Sequence, residues 1–235
     1  MEMKLKNIVL GSLCVFPAMY VHAAAMDQSG QSILAFLESG NYAEGGLIIG
    51  DPNISGKLKN RPELLDDPKN QNTGDMASSF NFYNFALKFQ LTDDLSFGIL
   101  YDQPFGAKIS YPQQSNNSYF DNEFSHEGTD VDFKTQNLSI LFGYSPFKNF
   151  QFYGGPVYQE VKGRVSLRGK AYTEAFNGYN ANFKKDGETG WLAGMSYQIP
   201  EIALKAAITY RSKIKYKLQV DEDMLLNDFI FLLPS

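Results

Sequence analysis

Ser79-Phe80-Asn81-Phe82-Tyr83-Asn84-Phe85-Ala86-Leu87-Lys88-Phe89-Gln90-Leu91 is the stretch that decides the fold. Tyr83, Phe85, Leu87, Phe89 and Leu91 take alternate positions, with Asn84, Ala86, Lys88 and Gln90 between them. Successive side chains of an extended chain point to opposite faces, so this rhythm makes a strand with one apolar and one polar face. Thr92-Asp93-Asp94 then turns the chain. Leu95, Phe97, Ile99 and Tyr101 resume the apolar face opposite Ser96, Gly98, Leu100 and Asp102.

The same period continues outward in both directions. Asn41 to Gly50 reads as a weaker, glycine-rich first strand. Downstream, a strand from about Val131 to Tyr144 carries Leu138, Ile140, Phe142 and Tyr144 on one side, and Ser145 to Asn149 turns it. Phe150 to Leu167 is a strand whose facing is obscured by Gly154-Gly155-Pro156. Trp191, Ala193, Met195, Tyr197 and Ile199 then share a face. After Pro200-Glu201, so do Ile202, Leu204, Ala206, Ile208 and Tyr210, opposite Ala203, Lys205, Ala207, Thr209 and Arg211. This makes an all-β, antiparallel chain of about seven strands. The predicted connections alternate, short at 92–94, 145–149 and 200–201, long at 51–78, 112–130 and 168–187. Outer-membrane barrels alternate in this way, with short periplasmic turns and long external loops. A soluble β-sandwich or jelly roll also alternates apolar and polar residues; strands near ten residues or longer and the loop asymmetry favour a membrane barrel with a polar bore.

Composition agrees. Aromatic residues are 14% of the 235, Gly numbers 20 and mean hydropathy is −0.29, as expected where lipid-facing apolar positions are diluted by polar ones. Lys4 and Lys6, the apolar run Ile8 to Val21 and the small residues Ala23-Ala24-Ala25 form a secretory signal peptide over residues 1–24, predicting export. The single cysteine, Cys14, lies inside it, so the mature chain forms no disulfide. Losing Glu2, Lys4 and Lys6 takes the net charge from −5 to −6, which argues against a nucleic-acid partner. Catalysis has little support. His126 is the only histidine of the mature chain and lies in a polar loop, Cys/His metal spacing is absent, and Gly154-Gly155-Pro156 precedes no helix that would hold a phosphate. No cofactor or metal is expected.

Several segments together resemble the FadL-type outer-membrane transporters of long-chain fatty acids and other hydrophobic compounds. They are Ser29-Gly30-Gln31-Ser32-Ile33, Gly40-Asn41-Tyr42-Ala43-Glu44, Asp51-Pro52-Asn53-Ile54-Ser55-Gly56, Tyr101-Asp102-Gln103-Pro104-Phe105-Gly106-Ala107, Val161-Lys162-Gly163, Pro200-Glu201-Ile202-Ala203-Leu204 and Thr209-Tyr210-Arg211-Ser212. The resemblance implies about seven strands of a fourteen-stranded barrel, with an N-terminal helical hatch in the lumen. It implies passive uptake of hydrophobic molecules in the outer membrane, by a monomer when full length. Residues 25–40 would be the hatch, 41–218 the partial barrel and 219–235 a tail outside the pattern. Ending Phe229-Ile230-Phe231-Leu232-Leu233-Pro234-Ser235, the chain reads as truncated and by itself not transport-competent. A structural or adhesive barrel and a general porin are the alternatives.

Within that frame Ser32, Ile33, Phe36 and Leu37 are the hatch residues, spaced as one helical turn; a disordered leader is the alternative. Pro104 has no N–H to give a strand ladder, so hydrogen bonding should fail near Gln103-Pro104-Phe105-Gly106. The resemblance places a kink and lateral opening there, and a plain strand end is the alternative. A fatty-acid carboxylate needs a cation near an apolar pocket. Lys108, Arg164, Lys205 and Arg211 are the cations expected on or near the lumen, and Phe105, Tyr119, Phe120 and Phe124 could supply apolar surface.

Overall fold

Nine strands form one antiparallel sheet, curled as half of a barrel, in a computed structural model that describes residues 31–57, 72–111, 127–169, 172 and 176–224. The expected signal peptide at 1–24, Tyr119, Phe120, Phe124, His126 and the tail beyond Met224 lie outside the described residues.

The strands are β1 (Tyr42–Gly50), β2 (Phe80–Gln90), β3 (Leu95–Asp102), β4 (Gly106–Ser110), β5 (Asp130–Phe147), β6 (Phe150–Ser166), β7 (Tyr179–Ile199), β8 (Leu204–Arg211) and β9 (Val220–Met224). The wall runs β1-β2-β3-β5-β6-β7-β8, with β4 pairing β5 beyond β3 and β9 pairing β7 beyond β8. The wall therefore has seven positions, two of them filled by a strand in two pieces. Three boundaries differ from the expectation: β9 takes Val220–Met224 from the 219–235 segment expected to lie outside the sheet, and two others shift as follows. β5 continues to Phe147, leaving Lys148-Asn149 as its turn, and β7 begins at Tyr179, so the long connection before it shrinks to 167–178. Outward positions there are Asn180, Asn182 and Lys184 rather than apolar residues, which hides the strand from a search for greasy alternation.

Facing follows the odd-even reading. Phe142 and Trp191 are 58% and 52% exposed, while Leu141 and Leu192 beside them are 0% and 1%. The register carries each face across the wall: Phe89 is opposite Phe97, Phe97 opposite Phe142, and Ile99 opposite Ile140. In β6 the alternation runs straight through Gly154-Gly155-Pro156, with Phe150, Phe152, Pro156 and Tyr158 outward and Gln151, Tyr153, Val157 and Gln159 inward. Gly155 is required there by close approach. A Cβ on it would sit 1.9 Å from the Ile140 carbonyl oxygen.

The strands are longer than a membrane crossing. β5, β6 and β7 have 18, 17 and 21 residues, against roughly 9–11 for a tilted transmembrane strand, and their composition changes half way. Toward the short turns the outward face is apolar, from Phe150 and Tyr197 up to Tyr101, Tyr158, Trp191 and Tyr210, and the inward face carries Lys88, Ser96, Gln151 and Ser196. Phe150 to Tyr158 covers about 27 Å along the strand, or about 20 Å along the barrel axis at a ~40° tilt, near the height of a lipid-facing band edged by aromatics. Toward the long connections the arrangement inverts. Asp130, Asp132, Lys134, Lys162 and Arg164 point outward, while Val131, Phe133, Val165, Ala181 and Phe183 point inward. Backbone parity is unchanged, so a polar bore along the whole sheet, as the sequence reading had it, holds only for the short-turn half.

Candidate functional site

The inner face is blocked at mid-height by a short segment of the chain's own N-terminal part. Leu34–Leu37 forms a 3₁₀ turn; among the described residues this single turn stands where a helical hatch was expected. Ser32 Oγ accepts a hydrogen bond from Leu34 N at 3.3 Å. Ile33, Ala35, Phe36 and Leu37 are buried against Ala86, Leu100, Leu141, Tyr153 and Leu192 of the wall. The Phe36 ring meets Tyr153 edge-on, with centroids 6.1 Å apart. It lies so near Gly98 that a Cβ there would stand 2.5 Å from the ring. Glycine is needed at that position for proximity, not for conformation.

The turn leaves backbone carbonyls without internal partners, and side chains from three strands take them. Lys88 Nζ of β2 donates to the Glu38 carbonyl. Gln198 Nε2 of β7 donates to Leu37 O at 3.0 Å, and Arg211 of β8 to Gln31 O at 2.8 Å. Lys205 Nζ pairs with the Glu38 carboxylate at 2.6 Å. Lys88 is only 5% exposed and lies 5.8 Å from the Phe36 ring centroid, where the ring face attracts the cation. Of the cations considered as ligand groups, Arg211 and Lys205 thus face inward and hold the plug. Lys108 and Arg164 do not face the lumen. Lys108 shares an outward position opposite Asp132, and Arg164 is outward and pairs with Asp130 at 2.9 Å. Arg164 sits an even number of residues from outward Phe150 and Tyr158, and Lys108 shares the face of its register partner Asp132, so the pleat carries both outside.

The wall is interrupted beside the plug. β3 ends at Asp102, and β4 bonds only to β5. β2 pairs β3 from Phe85 to Gln90, so its Phe80–Asn84 part bonds β1 alone. Side chains satisfy the freed backbone: Gln103 Oε1 accepts from Tyr83 N at 3.3 Å. Thr135 Oγ1 accepts from Phe105 N at 2.9 Å and donates to Phe105 O at 2.8 Å. Pro104 is fully buried and has no N–H to place. The resulting cavity, about 250 Å³, is lined by inward Phe80 and Phe133 and by outward Tyr83 and Lys134. A cavity touching both faces of one sheet is a slot through it.

Above the plug the inward face is mainly apolar. Phe80 stacks with Phe82 at 6.2 Å, and Phe133 meets Phe183 at 5.2 Å over Gly163. Asp186, Glu188 and Glu222 are acidic exceptions. Near Asp186 and Glu188, burial pushes the Tyr216 phenol up to about 12, and its hydroxyl donates to Gln159 Oε1 at 2.8 Å. Sequence reading missed this apolar lining and the roles of Lys88 and Thr135. The signal was available: Val131 and Phe133 alternate with Asp130, Asp132 and Lys134 in the opposite sense to Leu138–Tyr144.

No protein-family signature and no curated protein matches the sequence. Among solved structures the chain is similar to a FadL homologue from Pseudomonas aeruginosa, with TM-score 0.44 and 16% identity over 77% of this chain and 45% of that protein. The chain thus spans less than half of that protein's length.

Proposed function

We propose that the chain forms part of an outer-membrane barrel that passively admits hydrophobic molecules, long-chain fatty acids being the leading class, and releases them sideways through the slot at Gln103–Phe105. One observation carries this reading: an apolar inner face leads down to a plug seated on the wall, and the strand ladder beside that plug is interrupted. Apolar cargo gains roughly 25 cal/mol per Å² on entering such a lining. A polar solute gains nothing there, which disfavours a general porin. The lateral slot lies at the height of Tyr83, at the edge of the outward apolar band, so cargo leaving through it would meet lipid. The step involves no bond making, and passage needs only the concentration gradient.

The test uses the intact polypeptide carrying this sequence, in cells lacking their own fatty-acid uptake protein and in proteoliposomes. Labelled oleate should enter, and replacing Gln103-Pro104-Phe105 by Thr-Val-Thr, which restores strand pairing, should abolish entry while leaving membrane insertion intact. Unchanged uptake in that variant, or a steady ion conductance from the unmodified protein, would overturn the reading.

A further inference from the structure

We propose that the outward face just beyond the aromatic rim binds the phosphorylated sugar headgroup of an outer-leaflet glycolipid whose acyl chains lie on the apolar band below. The inference rests on the outer-membrane reading. Lys134 and Lys162 are directly opposite each other on β5 and β6. The β6–β7 register shifts between Val161 and Gly163, and the extra residue of this bulge sets Lys184 and Lys185 together across from Lys162. Both belong with Lys134, Lys162 and Arg164 to one outward recess of about 420 Å³. Like charges directly opposite in a sheet are destabilising, and this row stacks three strands of them.

The local carboxylates do not neutralise the recess. Asp130 pairs with Arg164 and Asp132 with Lys134, while Glu160 pairs with Lys185 and Asp221 with Lys184. Asp130, Asp132 and Glu160 are 24%, 23% and 18% exposed, against 62%, 59% and 61% for their partners. These three acids thus lie under the sheet surface and their partners' cationic tips point out; Asp221, 61% exposed against 52% for Lys184, is the exception at the rim. Lys162 and Lys108 have no ion pair among the described residues. The excess of positive charge contrasts with a chain of net charge −5.

Height selects the partner. Lys162 is the second outward position past Tyr158, about 13 Å along the strand and about 10 Å along the barrel axis. Lysine stems reach back several Å toward the apolar edge, to the depth of lipid headgroups, which occupy roughly 5–8 Å beyond the hydrocarbon. A phosphate on a sugar, anchored by chains against Phe152, Tyr158 and Trp191, places its charge among these lysines.

The experiment is native mass spectrometry of the detergent-purified protein with bisphosphorylated lipid A, its dephosphorylated form, phosphatidylglycerol, and inorganic phosphate as competitor. Lipid A should bind, and the dephosphorylated form and the Lys162→Gln/Lys184→Gln/Lys185→Gln variant should each weaken binding about tenfold or more. Lys148→Gln, at the opposite end, should bind as the unmodified protein does. Equal binding without phosphates, equal binding of phosphatidylglycerol, competition by inorganic phosphate, or an unaffected triple variant would each overturn the proposal. A protein that enters micelles and gives any of these results refutes the glycolipid site alone. One that stays in water without detergent refutes the membrane reading as well.

Discussion

Truncating Phe36 to alanine should release the plug without unfolding the wall. The ring is 0% exposed and wedged against Gly98, Gly143 and Tyr153, so its contacts belong to the seam between plug and sheet. Burying a phenyl ring of about 150–250 Å² is worth roughly 4–6 kcal/mol by area, and Phe→Ala changes in cores cost about 3–5 kcal/mol. At 1.4 kcal/mol per decade, the undocked population should rise by about 10²–10³·⁵. A cysteine at Ala35, buried at 6% exposure, reports that population in a Cys14→Ser background through its rate of labelling by a maleimide. Fast reclosing makes that rate proportional to the open fraction. Gly98→Val attacks the same seam from the wall, where a Cβ alone would meet the ring at 2.5 Å, and should accelerate labelling likewise. If both variants label within threefold of the background protein while the barrel keeps its heat-modifiable mobility, Phe36 is not what holds the plug.

Three further outcomes follow from the same geometry. Lys88→Met removes the charged donor to the Glu38 carbonyl, worth about 1.5–3 kcal/mol, and should raise Ala35→Cys labelling about tenfold or more; no change would mean that water replaces the lysine without loss. Gly155→Ala drives a Cβ to 1.9 Å from the Ile140 carbonyl oxygen, a backbone atom that cannot swing aside, and should cost about 3 kcal/mol or more, read as loss of the folded band on unheated gels. Phe133→Asp puts a carboxylate into the apolar vestibule beside Phe183 and should weaken oleate binding about tenfold or more; unaltered affinity would place the cargo elsewhere.

Much of this molecule was legible because period two is a strong signal wherever one face is apolar and the other is not. Leu138, Ile140, Phe142 and Tyr144 announced β5, and its neighbour β3 was read with the correct faces, while the facing of β6 stayed open across Gly154-Gly155-Pro156. Pro104 marked where ladder bonding fails, from its missing N–H, but that signal alone does not separate an opening from a plain strand end. Two things escaped. The beginning of β7 alternates Asn180, Asn182 and Lys184 with Ala181 and Phe183, and a strand that is polar outside looks like loop when apolar-outside is the template. The placing of Arg164 and Lys108 in the lumen came from equating charge with the bore. Counting pleats from Phe150 would have put Arg164 outside, on the same parity as Phe152 and Tyr158. The plug's anchors were beyond reach for another reason: Lys88, Gln198 and Arg211 bind carbonyls, which have no sequence signature.

Carbonyl anchoring also bears on how cargo and plug relate. Apart from the Lys205–Glu38 ion pair, the anchors at Gln31, Leu37 and Glu38 are backbone oxygens, so their strength is indifferent to the plug's apolar side chains, and the apolar seam of Ile33, Ala35, Phe36 and Leu37 sets the balance. The cavity between that seam and Leu100, Leu192 and Arg211 measures about 40 Å³, enough for a water molecule or so and too small for an alkyl chain. On the proposed reading, cargo reaching this depth must take the wall contacts now held by Ile33 and Ala35. Each methylene buried contributes about 0.8 kcal/mol, so four to six of them match the roughly 3–5 kcal/mol assigned to Phe36. A ligand shifts an equilibrium only by its differential affinity for the two states. Chains much shorter than that should therefore occupy the vestibule without moving the plug, and longer ones should displace it, which makes Ala35→Cys labelling in the presence of a fatty-acid length series a direct measure of the competition.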